Sequence, residues 1–173
     1  MRLRSMIALA GLTVGACALS GAAQAQSVFI EQIGANNVAN VKQTGEGNGE
    51  GALGGRIRQA SDASSASVNQ YGEDNDFLID QDGKGAHDAS LEQSGAGNVA
   101  SITQDGDAAN TATVVQGGFS NRATVSQTSS IIGHTAFISQ SGSENGASIG
   151  QEGARHSASI TQKDTSPASR PTG

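Results

Sequence analysis

The sequence predicts an all-β fold, a β-solenoid of strand–arc–strand units with about six rungs of two strands each. Three observations carry this. A glutamine recurs along the chain, at Gln32, Gln43, Gln59, Gln70, Gln81, Gln93, Gln104, Gln116, Gln127, Gln140, Gln151 and Gln162. Two positions before each stands an aliphatic residue: Ile30, Val41, Ile57, Val68, Ile79, Leu91, Ile102, Val114, Val125, Ile138, Ile149 and Ile160. Four positions before stands Ala in nine of the twelve copies, with Val28, Gly55 and Phe77 in the others. Side chains alternate in direction along a strand, so offsets of two and four place all three on one face. In Asn98-Val-Ala-Ser-Ile-Thr-Gln104, Val99, Ser101 and Thr103 point the opposite way and suit a solvated surface.

The elements follow in order. Residues 1–25 read as a secretion signal: Arg2 and Arg4, an apolar run from Met6 to Leu19, then Ala23-Gln24-Ala25 as a small-x-small site, with cleavage between Ala25 and Gln26. The run is too short and too rich in Ala and Gly for a spanning helix, so no membrane span is expected in the mature form. A competing reading takes Val14-Gly15-Ala16-Cys17 as a lipoprotein box with Cys17 acylated. Cutting after Ala25 removes the one cysteine, so stacking rather than disulfides must supply stability.

Residues 26–162 read as the solenoid. Successive glutamines lie 11 to 13 residues apart, except for 16 between Gln43 and Gln59, so two strands and two arcs make one rung. Gly34, Gly45, Gly72, Gly83, Gly95, Gly106, Gly118, Gly142 and Gly153 stand two residues after a repeat glutamine, where a tight reversal wants positive φ. A polar residue closes each arc six positions before the next glutamine: Asn37, Asn75, Asn98, Asn110, Asn121 and Asn145, with His87, His134 and His156 substituting. Length changes are expected between the glycine and this polar position. Residues 44–65 read as a degenerate rung with a longer arc and Ser64 in the Asn position. Residues 163–173, with Pro167 and Pro171, read as a disordered tail.

Composition fits an interior shared by like layers. There are 24 Gly, no Trp, four Phe and one Tyr, too few large apolar side chains for an ordinary compact core. Small Ala beside a branched aliphatic lets two facing sheets approach closely. Buried glutamines are costly without partners, but stacked at about 4.8 Å each amide donates to one neighbour and accepts from the other. Six rungs span about 29 Å and end in unpaired edges with no sequence device to stop growth. An open head-to-tail contact that never closes makes a filament. The net charge of −6, or −8 without Arg2 and Arg4, argues against a nucleic-acid partner.

The unit Gln-x-Gly-x-x-Asn-x-Ala-x-x-x-Gln, as in Gln32-Gly34-Asn37-Ala39-Gln43, Gln93-Gly95-Asn98-Ala100-Gln104, Gln116-Gly118-Asn121-Ala123-Gln127 and Gln140-Gly142-Asn145-Ala147-Gln151, resembles the repeat of curlins, the subunits of bacterial curli amyloid fibres. Looser copies extend over nearly all of residues 27–162. The resemblance implies a secreted, amyloid-forming structural subunit, either major subunit or nucleator. It implies extracellular self-assembly into fimbria or pili for adhesion and biofilm matrix. The partners it implies are the chain itself, other curli subunits, and secretion or chaperone proteins. The glycine-rich secretion segment ahead of the repeats of the family's major subunit is not visible here.

Other chemistry is weaker. The three histidines share one strand column, and a metal or proton-sensing site is conceivable, but imidazole filling the Asn position is the simpler reading. Asp74, Asp76, Asp105 and Asp107 flank turns without the nonapeptide spacing of calcium β-rolls, and are read as keeping the turns soluble. No nucleophile elbow, phosphate loop or redox pair occurs, so neither an enzyme nor a cofactor is expected. The alternative function is a soluble β-solenoid binding ice or glycan through outward Ser and Thr. Phe29, Arg56, Leu78, Glu92 and Phe137 in outward positions interrupt any such array.

Overall fold

The computed structural model describes residues 17–19 and 27–164. The cleavage position Ala25/Gln26 and the tail from residue 165 lie outside them. The chain forms two parallel sheets by alternating between them. One sheet holds β2 (Phe29–Ile33), β4 (Arg56–Ala60), β6 (Asp76–Asp82), β8 (Val99–Gly106), β10 (Arg122–Ser129) and β12 (Gly146–Gly153). The other holds β1 (Cys17–Leu19), β3 (Val38–Thr44), β5 (Ser65–Glu73), β7 (Asp88–Ala96), β9 (Thr111–Phe119), β11 (Thr135–Ser143) and β13 (Ser157–Lys163). Strands β2 to β13 make six rungs, so this is an all-β solenoid. Two differences from the sequence reading concern its limits. Lys163 ends β13 rather than beginning a tail, and β1, inside the presumed leader, pairs in parallel with β3.

The register is set by the period-two pattern, because a slip of one residue would turn every apolar side chain outward. Like therefore pairs with like: Ala123 with Ala100 and Ala147, Val125 with Ile102 and Ile149, Gln127 with Gln104 and Gln151. The core is a column of Ala and a column of Ile, Val or Leu from each sheet, almost wholly buried in the middle rungs. Phe77 replaces Ala in β6 and is fully buried. Pairing of Arg56 with Leu78 brings Gly55, which has no side chain, level with Phe77, so a large residue fits beside an absent one. At the two ends Val28, Ile30, Ala147, Ala158 and Ile160 remain only partly covered.

The arcs rest on backbone geometry. The nine glycines that follow the repeat glutamines all have φ between 99° and 117°. A Cβ on Gly72 would strike the carbonyl oxygen of Gly95, and one on Gly95 that of Gly118, so the arcs also stack too closely for a side chain. In seven of these nine arcs a second left-handed residue follows two positions later, and in five it is not glycine: Asn36, Asp74, Ser120, Glu144 and Arg155 have φ of 53° to 60°. The pattern of glycines gave no hint of these. On the outer face Arg58 bonds Asp80 at 2.9 Å and Asp82 at 3.1 Å on the neighbouring strand, which raises the guanidinium pKa further. Such partly exposed pairs contribute little to stability.

Candidate functional site

The inward polar columns are what distinguish this interior from an ordinary apolar core. In one sheet Gln32, Gln59, Gln81, Gln104, Gln127 and Gln151 form a continuous ladder, each Nε2 donating to the next Oε1 at 2.7 to 3.1 Å. In the other, Gln43, Gln70, Gln93, Gln116, Gln140 and Gln162 do the same at 2.6 to 2.9 Å. All are buried except Gln32 and Gln162, which are half-buried in the end rungs. In eight of the twelve, the direction of the amide is fixed by a second bond from Nε2 to a backbone carbonyl. Gln104 Nε2 also donates to the Asp88 carbonyl and Gln127 Nε2 to that of Thr111, leaving only Oε1 to accept from the preceding rung. Every ladder N–H therefore points toward the C-terminal end of the stack.

The arc column between rungs runs the other way. Asn98 Nδ2 donates to the carbonyls of Ser94 and Gly118, so its Oδ1 accepts the backbone N–H of Asn121 at 3.1 Å. Asn75 and Asn121 repeat this toward Asn98 and Asn145. Here the acceptors face the C-terminal end. Asn48 begins the column, accepting from the Asn75 N–H, and it was missed in the sequence. The clue was there, since Gly45-x-x-Asn48 has the spacing of Gly34-x-x-Asn37. Six residues before Gln59 stands Leu53 instead, because the extra residues come after Asn48, in residues 49–55. This corrects the expectation that every length change precedes the polar position.

The inserted residues are tied down by Asp76. Its carboxylate accepts the backbone N–H groups of Leu53 at 2.6 Å, Gly55 at 3.1 Å and Phe77 at 2.9 Å, and the residue is buried. Asp76 is thus not a solubilising turn residue; Asp74, Asp105 and Asp107 are exposed.

The arc column within rungs contains Asn37, Ser64, His87, Asn110, His134 and His156. Asn37 Oδ1 accepts from the Ser64 N–H, Ser64 Oγ from His87, His87 Nδ1 from Asn110, Asn110 Oδ1 from His134, and His134 Nδ1 from His156. Because Nδ1 accepts, the neutral ring carries its proton on Nε2. That nitrogen reaches the Asp82 carbonyl from His87 and the Thr128 carbonyl from His134. Imidazole thus repeats what the Asn amide does. Burial pushes the His87 pKa down, against the smaller opposing pull of its bond to the Asp82 carbonyl and of the Asp105 charge. His134 and His156 stack with centroids 5.1 Å apart. Among the described residues no three of His, Cys, Asp and Glu converge as a metal ion requires, and no helix is long and apolar enough to cross a membrane.

Residues 135–163, from the first residue of β11 to the last of β13, match the family model of the curlin associated repeat. The chain carries a curlin repeat. Its Ala136, Ile138 and Gln140 are paired in register with Ala112, Val114 and Gln116 of the rung before. The same columns continue through every earlier rung, so the repeat's geometry extends beyond the matched stretch. No curated protein and no solved structure matches the chain.

Proposed function

We propose that the chain is a secreted structural subunit of curli-like functional amyloid fibres, assembling outside the cell by stacking rung upon rung to serve adhesion and biofilm matrix. The observation that carries this is the agreement between the end strands and the middle ones. β12 and β13 keep the inward Ala, Ile and Gln columns and, among the described residues, pair on one side only. A soluble solenoid ordinarily closes such edges with charge or a cap. The curlin repeat at residues 135–163 supports the same reading. Other curli-type subunits and secretion or chaperone proteins are the partners this role requires.

The test uses the chain beginning at Gln26, which keeps all six rungs. Expected are dye-binding fibres with a lag that seeds abolish, and fibre diffraction with a meridional spacing of about 4.7 to 4.8 Å. Protein that stays monomeric at high concentration, and depresses freezing or binds glycan, would overturn the proposal in favour of a soluble binding module.

A further inference from the structure

The chain contains Asn-Gly twice, at Asn48-Gly49 and Asn145-Gly146. This dipeptide carries a chemistry of its own, because glycine has no Cβ to keep its amide nitrogen from the asparagine side chain. That nitrogen attacks Cγ of the asparagine. The N–Cγ bond forms, the Cγ–Nδ2 bond breaks, and ammonia leaves with the proton the nitrogen gave up. Water then opens the cyclic imide at either carbonyl, giving aspartate or isoaspartate. The reaction needs only water, a side-chain amide able to turn, and a glycine N–H that is not engaged.

The fold closes one of these pairs and leaves the other open. Asn48 and Gly49 are both buried. Gly49 N–H donates to the Asn75 carbonyl at 2.8 Å. The Asn48 amide is held at both ends: Nδ2 donates to the Thr44 and Gly72 carbonyls, and Oδ1 accepts from the N–H and Nδ2 of Asn75. Asn145-Gly146 stands where β12 begins, and β12 is the edge strand of its sheet. The N–H and Nδ2 of Asn145 donate to Asn121 Oδ1 at 3.0 Å, and Nδ2 also to the Ser141 carbonyl at 3.3 Å. Among the described residues no donor meets its Oδ1. In register Gly146 takes the place of Arg122 and Val99, whose N–H groups donate to the carbonyls of Asn145 and Asn121 in the following rung. Gly146 N–H points the same way, toward a side on which no described strand lies, and the residue is exposed.

We propose that Asn145-Gly146 is a self-modification site that deamidates in the folded, unassembled chain and is shut by assembly. The second half rests on the fibre reading above: a copy stacked on β12 covers Asn145 and engages the Gly146 N–H, as the following rung does for Val99. The product damages the end rung. Aspartate lacks the Nδ2 donor and sets a carboxylate oxygen against Asn121 Oδ1 and the Ser141 carbonyl. Isoaspartate adds a methylene to the main chain just ahead of β12, where the register of the strand is set. A chain left unassembled therefore loses, with time, the rung on which another copy would seat, while a chain inside a fibre keeps it.

The chain from Gln26 is incubated in mildly alkaline buffer as soluble folded protein, as fibres, and unfolded in urea. Both asparagines are followed by peptide mass and isoaspartate content. In the soluble form Asn145 should deamidate at least about ten-fold faster than Asn48, because end strands open at little cost and interior contacts do not. In urea the two should react at comparable rates, and in fibres the Asn145 rate should fall at least about ten-fold. Aged soluble wild type should lose seeded incorporation in step with the modification. Gly146→Ala, whose added methyl hinders ring closure but meets nothing within 4 Å in the fold, should keep it. Asn145 reacting no faster than Asn48 in the soluble chain would overturn the site. A ratio in urea as large as in the folded chain would assign the difference to local sequence and overturn the fold's part. Fibres that deamidate at the soluble rate would overturn the protection and leave the fibre reading standing. Modified chains that incorporate as readily as fresh ones would overturn the effect on growth. Absence of fibres would remove the fibre reading, and with it the protection and the effect on growth, while the soluble rates still decide the site.

Discussion

Replacing Gln104 and Gln127 by leucine, singly and together, tests whether the glutamines act as one connected column. Gln104→Leu removes the acceptor for Gln81 Nε2 at 3.0 Å, the donor to Gln127 Oε1 at 3.1 Å and the donor to the Asp88 carbonyl at 3.0 Å. The Gln127 oxygen is then buried with no donor. Each orphaned group costs about 1–3 kcal/mol, and the extra apolar burial of leucine offsets part, so a loss of about 3 kcal/mol is expected. Gln127→Leu is similar, stranding Gln104 Nε2, Gln151 Oε1 and the Thr111 carbonyl. In the double variant two of these orphans, the Gln127 oxygen and one Gln104 N–H, no longer exist. The pair should therefore cost about 4 rather than about 6 kcal/mol, a coupling of about 2 kcal/mol. Urea unfolding of the chain from Gln26, below the concentration at which it assembles, measures all four corners of the cycle. Additivity within about 0.5 kcal/mol would refute the connected column.

Three further outcomes follow from the arcs. Because burial lowers the His87 pKa, the neutral ring is the folded form, and protonation sets Nδ1–H against the Asn110 N–H. The contribution is complete above the ordinary histidine value of about 6.5 and is lost as pH falls below it through the depressed folded value. The urea midpoint of wild type should drop over that acid range more steeply than that of His87→Asn, and equal slopes would count against the tautomer assignment. Gly95→Ala should cost at least about 2 kcal/mol, from φ of 99° and collision with the Gly118 carbonyl, whereas Gly146→Ala, with nothing within 4 Å of its new Cβ, should stabilise or do nothing. Comparable thermal midpoints for the two would contradict the arc geometry. Glu144→Gly, at φ 58°, should gain about 1 kcal/mol by releasing left-handed strain, and a loss in the same melting assay would show the side chain to matter more than the backbone.

The sequence by itself determined the strand faces, the rung count and the inward glutamines. Period-two alternation is a local property, and a repeated inward set on each strand can be buried in only one way. Glycine at a fixed offset from glutamine likewise marked the first left-handed residue of nine arcs, since few other residues tolerate that φ. Tertiary structure alone decided the rest. Nothing in a glutamine's spacing says which end of its amide faces which neighbour. That choice is made by backbone carbonyls of the opposite sheet, such as Asp88 for Gln104, which lies 16 residues away in the chain. Ser120 and Glu144 adopt left-handed backbone because stacked neighbours impose the arc on them against their own preference. Asn48 and Asp76 were obscured because the insertion at residues 49–55 shifts the count along the chain while their positions in the stack do not change.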